Sequence, residues 1–147
     1  MPETPARTVE VLLVEDDPGD VLVTREALET HRLRNNLNVV SNGEQALAYV
    51  RKQGAYAGAT TPDLMLLDLN LPRLGGREVL RELKGDAELR RIPIVVLTTS
   101  DAEDDVVAAY DLQVNAYVRK PMEYREYVAA VRAVDDFFGD LVRLPPR

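Results

Sequence analysis

Short, unbroken apolar runs alternate along the chain with longer segments in which apolar residues recur every three or four positions. The runs predict strands at Val9–Val14, Leu37–Val40, Leu64–Leu67, Pro93–Leu97 and Asn115–Val118. Runs with no polar alternation suit strands covered on both faces, as in a parallel sheet. The intervening segments predict helices from Pro18 to about Arg32, Glu44–Lys52, Arg77–Lys84, Ala102–Leu112 and Tyr124–Phe138. The first carries Val21, Leu22, Leu28 and Leu33; the second Ala46, Leu47 and Val50; the third Val79, Leu80 and Leu83. Asp17 followed by Pro18 reads as an N-cap and first helical residue, and Asp101 reads as a cap for the fourth helix. Ser41-Asn42-Gly43 and Gly75-Gly76 are turns, the second pair lacking the spacing of a dinucleotide fingerprint. Gln53–Thr61, rich in small residues, is a loop, and Gly139 ends the last helix. Five strand–helix alternations specify an α/β fold, a doubly wound parallel sheet with helices on both faces.

A length of 147 residues suits one domain. Residues 1–8 read as a disordered lead-in, 9–138 as the folded domain and 139–147 as a C-terminal tail. No run approaches a membrane span, the N-terminus lacks a signal pattern, and the absence of cysteine excludes disulfides and thiolate zinc sites. Together these place the protein in the cytoplasm. A net charge of −7 argues against nucleic-acid and anionic-membrane partners. His31 is the only histidine and sits at the end of a surface helix, so His-based catalysis has little to work with. There are 15 Arg but only three Lys, which makes Lys120 less easily dismissed as a generic surface charge.

Polar groups collect at the strand ends. The first strand ends in Glu15-Asp16-Asp17, the third in Asp68, the fourth in Thr98 and the fifth in Lys120. Parallel strands point the same way, so these groups converge at the carboxyl edge, where open α/β sheets bind ligands. Each has a plainer reading: Asp68 as a turn cap, the three acids as a helix start, Thr98-Thr99-Ser100 as a loop, Lys120 as a surface charge. Collected carboxylates need a counter-charge, and with this composition a hard cation on oxygen ligands, Mg²⁺, is the natural one. A carboxylate beside Mg²⁺ can attack a phosphoryl group and form an acyl phosphate, with lysine and threonine binding the transferred oxygens.

Four motifs stand in order at these ends: V-E-D-D-P (Val14–Pro18), L-L-D-L-N-L-P (Leu66–Pro72), V-L-T-T-S (Val96–Ser100) and Y-V-R-K-P (Tyr117–Pro121). In these the chain resembles the CheY-like receiver domains of two-component signalling, from Val9 to Phe138. The resemblance implies a flavodoxin-like five-stranded sheet of order 2-1-3-4-5 with five helices. It implies that Asp68 is the phosphoacceptor and that Thr98 and Lys120 bind the phosphoryl group. Mg²⁺ would be held by Asp16, Asp68, the backbone carbonyl of Asn70, and Glu15 directly or through water. Thr98 and Tyr117 would form the conformational switch, and the Lys120–Pro121 bond would be cis. It further implies a phosphoacceptor rather than an enzyme for external substrates, catalysing its own phosphorylation from small donors and its own dephosphorylation.

The Gly54–Thr61 loop, L-D-L-N-L-P-R, L-T-T-S, A-Y-D-L-Q-V-N-A-Y and the closing F-F-G-D-L are similar to single-domain regulators paired with phytochrome-type sensor histidine kinases. Such a kinase is the implied partner, and a stand-alone regulator without an attached output domain is the expectation. Thr99 is bulkier than the Ala or Gly common at that position in receivers, which restricts access of partners or water. The last helix carries Tyr124, Tyr127, Val128, Val131, Val134, Phe137, Phe138 and Leu141, more than one stripe, and with the tail predicts a homodimer contact. Three other readings stand beside this one. They are a Mg²⁺-dependent hydrolase, which lacks a second carboxylate two residues after Asp68; a phosphorylation-independent scaffold; and a nucleotide- or flavin-binding protein, which lacks a glycine-rich phosphate loop.

Overall fold

The computed structural model describes residues 8–30, 35–100, 102–141 and 144–147. The lead-in up to residue 7, His31, Arg32, Leu33 and the Asp101 cap lie outside the described residues. The elements run β1 (Val9–Val14), α1 (Pro18–Glu29), β2 (Asn35–Val40), α2 (Gly43–Val50), β3 (Leu64–Leu67), α3 (Gly76–Lys84), β4 (Ile94–Thr98), α4 (Glu103–Asp111), β5 (Ala116–Arg119) and α5 (Tyr124–Asp136). Every strand pairing is parallel and the order is β2-β1-β3-β4-β5. That is the flavodoxin-like arrangement the sequence implies.

The continuous apolar runs are explained by how the pleat divides them. Leu12, Val14, Met65, Leu67, Ile94 and Val96 point to one face, against Ala46, Leu47 and Val50 of α2 and Val79, Leu80 and Leu83 of α3. Val11, Leu13, Leu64, Leu66, Val95 and Leu97 point to the other, against Ala27 and Leu28 of α1 and Tyr127 and Val131 of α5. Successive side chains alternate faces, so a strand covered on both sides must be apolar at every position. α1, α2 and α5 start at side-chain caps. Asp17 accepts from the backbone N–H of Gly19 and Asp20, Asn42 from Gln45, and Glu123 from Arg125 and Glu126. Each satisfies donors that a helix start leaves without intrahelical partners.

Several sequence expectations are corrected. Leu22 does not join the core; it is 63% exposed, because the apolar stripe of α1 runs through Val21, Ala27 and Leu28. β2 begins at Asn35 rather than Leu37, since an edge strand tolerates polar residues, and Asn36 bonds the Glu10 carboxylate across β1. α4 starts at Glu103 and ends at Asp111, and Ala102 before it offers no side-chain cap. The loop at Gln53–Thr61 contains a 3₁₀ turn, Gly54–Tyr56, and a second such turn spans Leu89–Arg91. Gly139 does not stop the last helix, which widens into a π-helical turn at Phe137–Leu141. That turn buries Phe138 and leaves Phe137 half exposed, their rings edge to face with centroids 5.2 Å apart.

The tail folds back across the amino edge of the sheet. Arg147 lays its guanidinium on Asp63, Nε to Oδ1 at 3.1 Å and Nη2 to Oδ2 at 2.7 Å, and Nη2 also donates to the Thr8 carbonyl at 2.6 Å. Asp63 is buried and also accepts from the Glu10 N–H at 2.8 Å, so the fork neutralises a carboxylate tied into β1.

Candidate functional site: an acidic crevice closed by one lysine

Three adjacent strand ends and one loop assemble the crevice. Asp68 follows β3, with its N–H bonded to the Val14 carbonyl at 3.1 Å, which brings it beside Glu15 and Asp16. β4 places Thr98 opposite Arg119 of β5, so Lys120 is the next residue out, its N–H bonded to the Thr98 carbonyl at 2.7 Å. Behind Asp68 the backbone of α3 comes very close. A Cβ on Gly76 would lie 2.6 Å from the Asp68 carbonyl oxygen and 2.6 Å from the Leu69 Cα. Gly76 is therefore required for close approach as well as for the turn read from sequence.

Inside the crevice both oxygens of Asp68 are held. Oδ1 accepts from the Thr98 hydroxyl at 2.8 Å and from the Asn70 N–H at 3.1 Å. Oδ2 lies 3.0 Å from Lys120 Nζ. The same ammonium reaches Glu15 Oε2 at 2.5 Å and Asp20 Oδ2 at 2.8 Å, so its three donors meet three carboxylates. Glu15 uses its other oxygen to accept from the Asp17 N–H at 3.1 Å. Glu15, Asp68, Thr98 and Lys120 are all buried, while Asp16 and Asn70 are exposed at the mouth.

Burial and the lysine contacts set the electrostatics. Burial pushes the Glu15 carboxyl up to about 7, against the opposing pull of its contact with Lys120. Burial also works against the Lys120 ammonium. Its hydrogen bonds to Asp20 and Glu15 and the nearby Asp68 charge outweigh that, so its pKa rises above the ordinary lysine value. The lysine is thus firmly charged, and one of its carboxylate neighbours is poised to take up a proton.

One carboxylate oxygen from each of Glu15, Asp16 and Asp68 lies within 4.8 Å of the others, a group able to hold a metal ion. The donors are all oxygen, which fits a hard divalent cation. Asp16 makes no side-chain hydrogen bond among the described residues and is open to a ligand. Both Glu15 oxygens are engaged, which favours contact through water.

The sequence reading placed Glu15, Asp16, Asp68, Thr98 and Lys120 together, and the structure brings them together. Thr99 is exposed beside the crevice. The reading missed Asp20, which looks like any acid in the first turn of a helix. Its signal was its place in the first turn of the helix that leaves the acidic strand end. Tyr117 is half-buried and donates its phenol to the Ser100 carbonyl at 2.7 Å, tying β5 to the loop after Thr98. No cis peptide bond occurs among the described residues, so the Lys120–Pro121 expectation is corrected to trans. The trans form is the intrinsic preference of an X–Pro bond, and Lys120 reaches the carboxylates from it.

The model of the response regulator receiver domain matches residues 11–132. The chain belongs to the response regulator receiver domain family. Response regulator Rcp1 of Synechocystis sp. is 43% identical to this receiver over 135 residues, 92% of each chain. The phosphorylated cyanobacterial phytochrome response regulator RcpA superposes with a TM-score of 0.92 at 42% identity, covering 95% of this chain and 100% of that one. The Mn²⁺-bound form of Rcp1 superposes with a TM-score of 0.90 at 42% identity, covering 94% and 99%. The receiver is thus closely related to phytochrome response regulators in both sequence and fold. Among its described residues no helix is long and apolar enough to cross a membrane.

Proposed function

We propose that this receiver accepts a phosphoryl group on Asp68 from a sensor histidine kinase, of phytochrome type as the named relatives suggest, and signals by the resulting change in its surface. The observation that carries this reading is the set of contacts on Asp68. Its two oxygens meet one hydroxyl, one backbone N–H and one ammonium, beside two further carboxylates. An Asp68 oxygen attacks phosphorus, and the bond from phosphorus to the donor's nitrogen breaks. Lys120 and the Thr98 hydroxyl then bind transferred oxygens in place of the carboxylate oxygens they hold now. Asp20 keeps one lysine N–H occupied throughout and so holds Nζ at the crevice. Asp16, Asp68, the Asn70 carbonyl and, through water, Glu15 would hold Mg²⁺. The bound cation supplies positive charge against the crowded phosphoryl and carboxylate oxygens. Thr98 moving toward the new group and Tyr117 following the loop make up the switch, and the same groups support self-catalysed phosphorylation from small donors and self-catalysed dephosphorylation.

Intact-protein mass after incubation with a small phosphodonor tests this. A single phosphoryl adduct is expected with Mg²⁺ and none in chelator. Adduct formation indifferent to Mg²⁺ would remove the metal from the reading. No adduct from either the small donor or a cognate kinase would leave a phosphorylation-independent scaffold as the better account.

We further infer a homodimer through the last helix and the tail. Tyr124 at the start of α5 and Phe137 in its continuation are each about half exposed, and Met122, just before α5, is almost fully exposed. Such apolar side chains on one element suit an isologous two-fold contact. Mass in solution is expected to double with concentration, and Phe137→Glu to hold it at the monomer value. A concentration-independent monomer mass in the parent protein would sink the inference.

A further inference from the structure

A polar relay lies next to the crevice but outside it. The Ser100 hydroxyl, two residues beyond Thr98, donates to Asp105 Oδ2 at 2.5 Å and accepts from the Ala102 N–H at 3.4 Å. The other Asp105 oxygen is bonded by Nη2 of Arg77. Arg77 is the second residue of α3, directly after Gly76, whose backbone rests on the Asp68 carbonyl. The Ser100 carbonyl receives the Tyr117 phenol. A closed circuit results: Asp68 to Thr98 by hydrogen bond, Thr98 to Ser100 along the backbone, Ser100 through Asp105 to Arg77, and Arg77 through Gly76 back to Asp68.

From this circuit we propose that Arg77 and Asp105 are positioning residues for phosphoryl transfer. They pin the loop after β4 through Ser100, so that the Thr98 hydroxyl is already on Asp68 and Tyr117 is already on the loop before the phosphoryl group arrives. Three facts support this. The relay joins α3 and α4, so it fixes the loop from both sides. Asp105 lies in the first turn of α4, where a carboxylate is favoured by the helix dipole and stays charged. Its bonds to Ser100 and then to Arg77 hold its carboxyl below the ordinary aspartate range, so it remains an acceptor for both partners. Without the relay, the bonds left to tie the loop among the described residues are that of Tyr117 and those of the strand pairing. The loop then samples positions in which the Thr98 hydroxyl leaves Asp68, and only the competent fraction reacts.

The proposal rests on the phosphoacceptor reading above, and the test separates the two. Asp105→Asn keeps an acceptor for Ser100 but turns an amide donor on Arg77; Arg77→Gln removes the guanidinium; Ser100→Ala removes the hydroxyl and leaves the ion pair. Among the described residues none of these three side chains bonds Glu15, Asp16, Asp68 or Asn70. Each single variant is expected to slow Mg²⁺-dependent adduct formation from a small donor by roughly five-fold. The Arg77→Gln/Asp105→Asn double is expected to be no slower than either single, because both cut one relay. A readout independent of phosphorylation runs alongside: ¹⁹F resonances of fluorotyrosine-labelled protein without donor, with Tyr117 assigned by Tyr117→Phe. In the variants the Tyr117 resonance is expected to shift toward a loop-released position, while the other tyrosine resonances stay. Parent-like rates and an unmoved Tyr117 resonance in all three variants would overturn the proposal, as would a double variant as slow as the product of the singles. Failure of the parent protein itself to form an adduct would instead strike the underlying reading, and the resonance shift would still decide whether the relay holds the loop.

Discussion

Asp68→Asn is expected to take up no phosphoryl group, from a small donor or from a kinase, under conditions in which the parent protein is fully modified. The amide is no nucleophile toward phosphorus, and no neighbour can replace it. The Thr98 hydroxyl is fully buried and donates its proton to Asp68. Glu15 has both oxygens engaged, by Lys120 and by the Asp17 N–H. Asp16 makes no side-chain hydrogen bond among the described residues but is exposed at the mouth, while Lys120 and the Thr98 hydroxyl are bonded to Asp68. The measurement is intact mass followed by mapping of the modified residue. An adduct that persisted in the variant and mapped to Asp16 or Glu15 would move the acceptor to the end of β1. The substitution is nearly isosteric and leaves an oxygen for Thr98 but turns an amide donor toward Lys120, so a urea melt run alongside separates lost chemistry from lost folding.

Lys120→Met is expected to destabilise the metal-free protein by about 3 kcal/mol, the scale seen when one partner of a buried ionic group is removed. Three carboxylates, Glu15, Asp20 and Asp68, would lose the ammonium that meets all of them. The pH dependence follows from proton linkage. A carboxyl whose folded pKa is raised binds more protons folded than unfolded, so its cost grows as pH rises. Glu15 is already raised to about 7, and loss of the ammonium pushes it further up. The deficit should therefore be largest above about pH 7 and shrink toward about pH 5, where the Glu15 carboxyl is protonated. Urea melts of parent and variant in chelator at several pH values measure this. Adding Mg²⁺ should return part of the loss, because a ligand that binds only the folded state stabilises it. A deficit that did not change with pH would mean that lost packing, not charge, is responsible.

How much of this was legible in the sequence depended on what kind of signal each part left. β1 and β3 were bounded correctly because both are apolar at every central position and end abruptly in acids, a pattern that only two-sided burial imposes. β2 was read two residues short because Asn35 and Asn36 look like loop, and only the neighbouring Glu10 shows why Asn36 belongs to an edge strand. The main crevice groups were legible because each sits at a strand end and parallel strands must bring their ends together. Asp20 and the Arg77–Asp105–Ser100 relay were not, because Asp20, Arg77 and Asp105 sit on helices where acids and arginines are ordinary surface residues, and Ser100 sits in a loop where serine is ordinary. Their meaning lies in which helix faces meet, and one sequence carries no record of that. The π-helical turn was hidden for the opposite reason: Gly139 is a strong stop signal, and the packing of Phe138 overrode it. The cis bond at Pro121 was carried over by resemblance, against the ordinary preference of the bond, and the ordinary preference held.

The fork between Arg147 and Asp63 brings Arg147 within hydrogen-bond reach of Thr8. These two points of the chain meet at the amino edge of the sheet, away from the carboxyl edge where Asp68 lies. A short bridge of glycines and serines could therefore join them without crossing the crevice. Reopening the ring at exposed Gly58, where an added side chain would meet nothing, gives a rearranged order of elements with the same sheet. Such a permutant would place both of its new ends in the loop before β3, on the amino side of the sheet and away from the crevice.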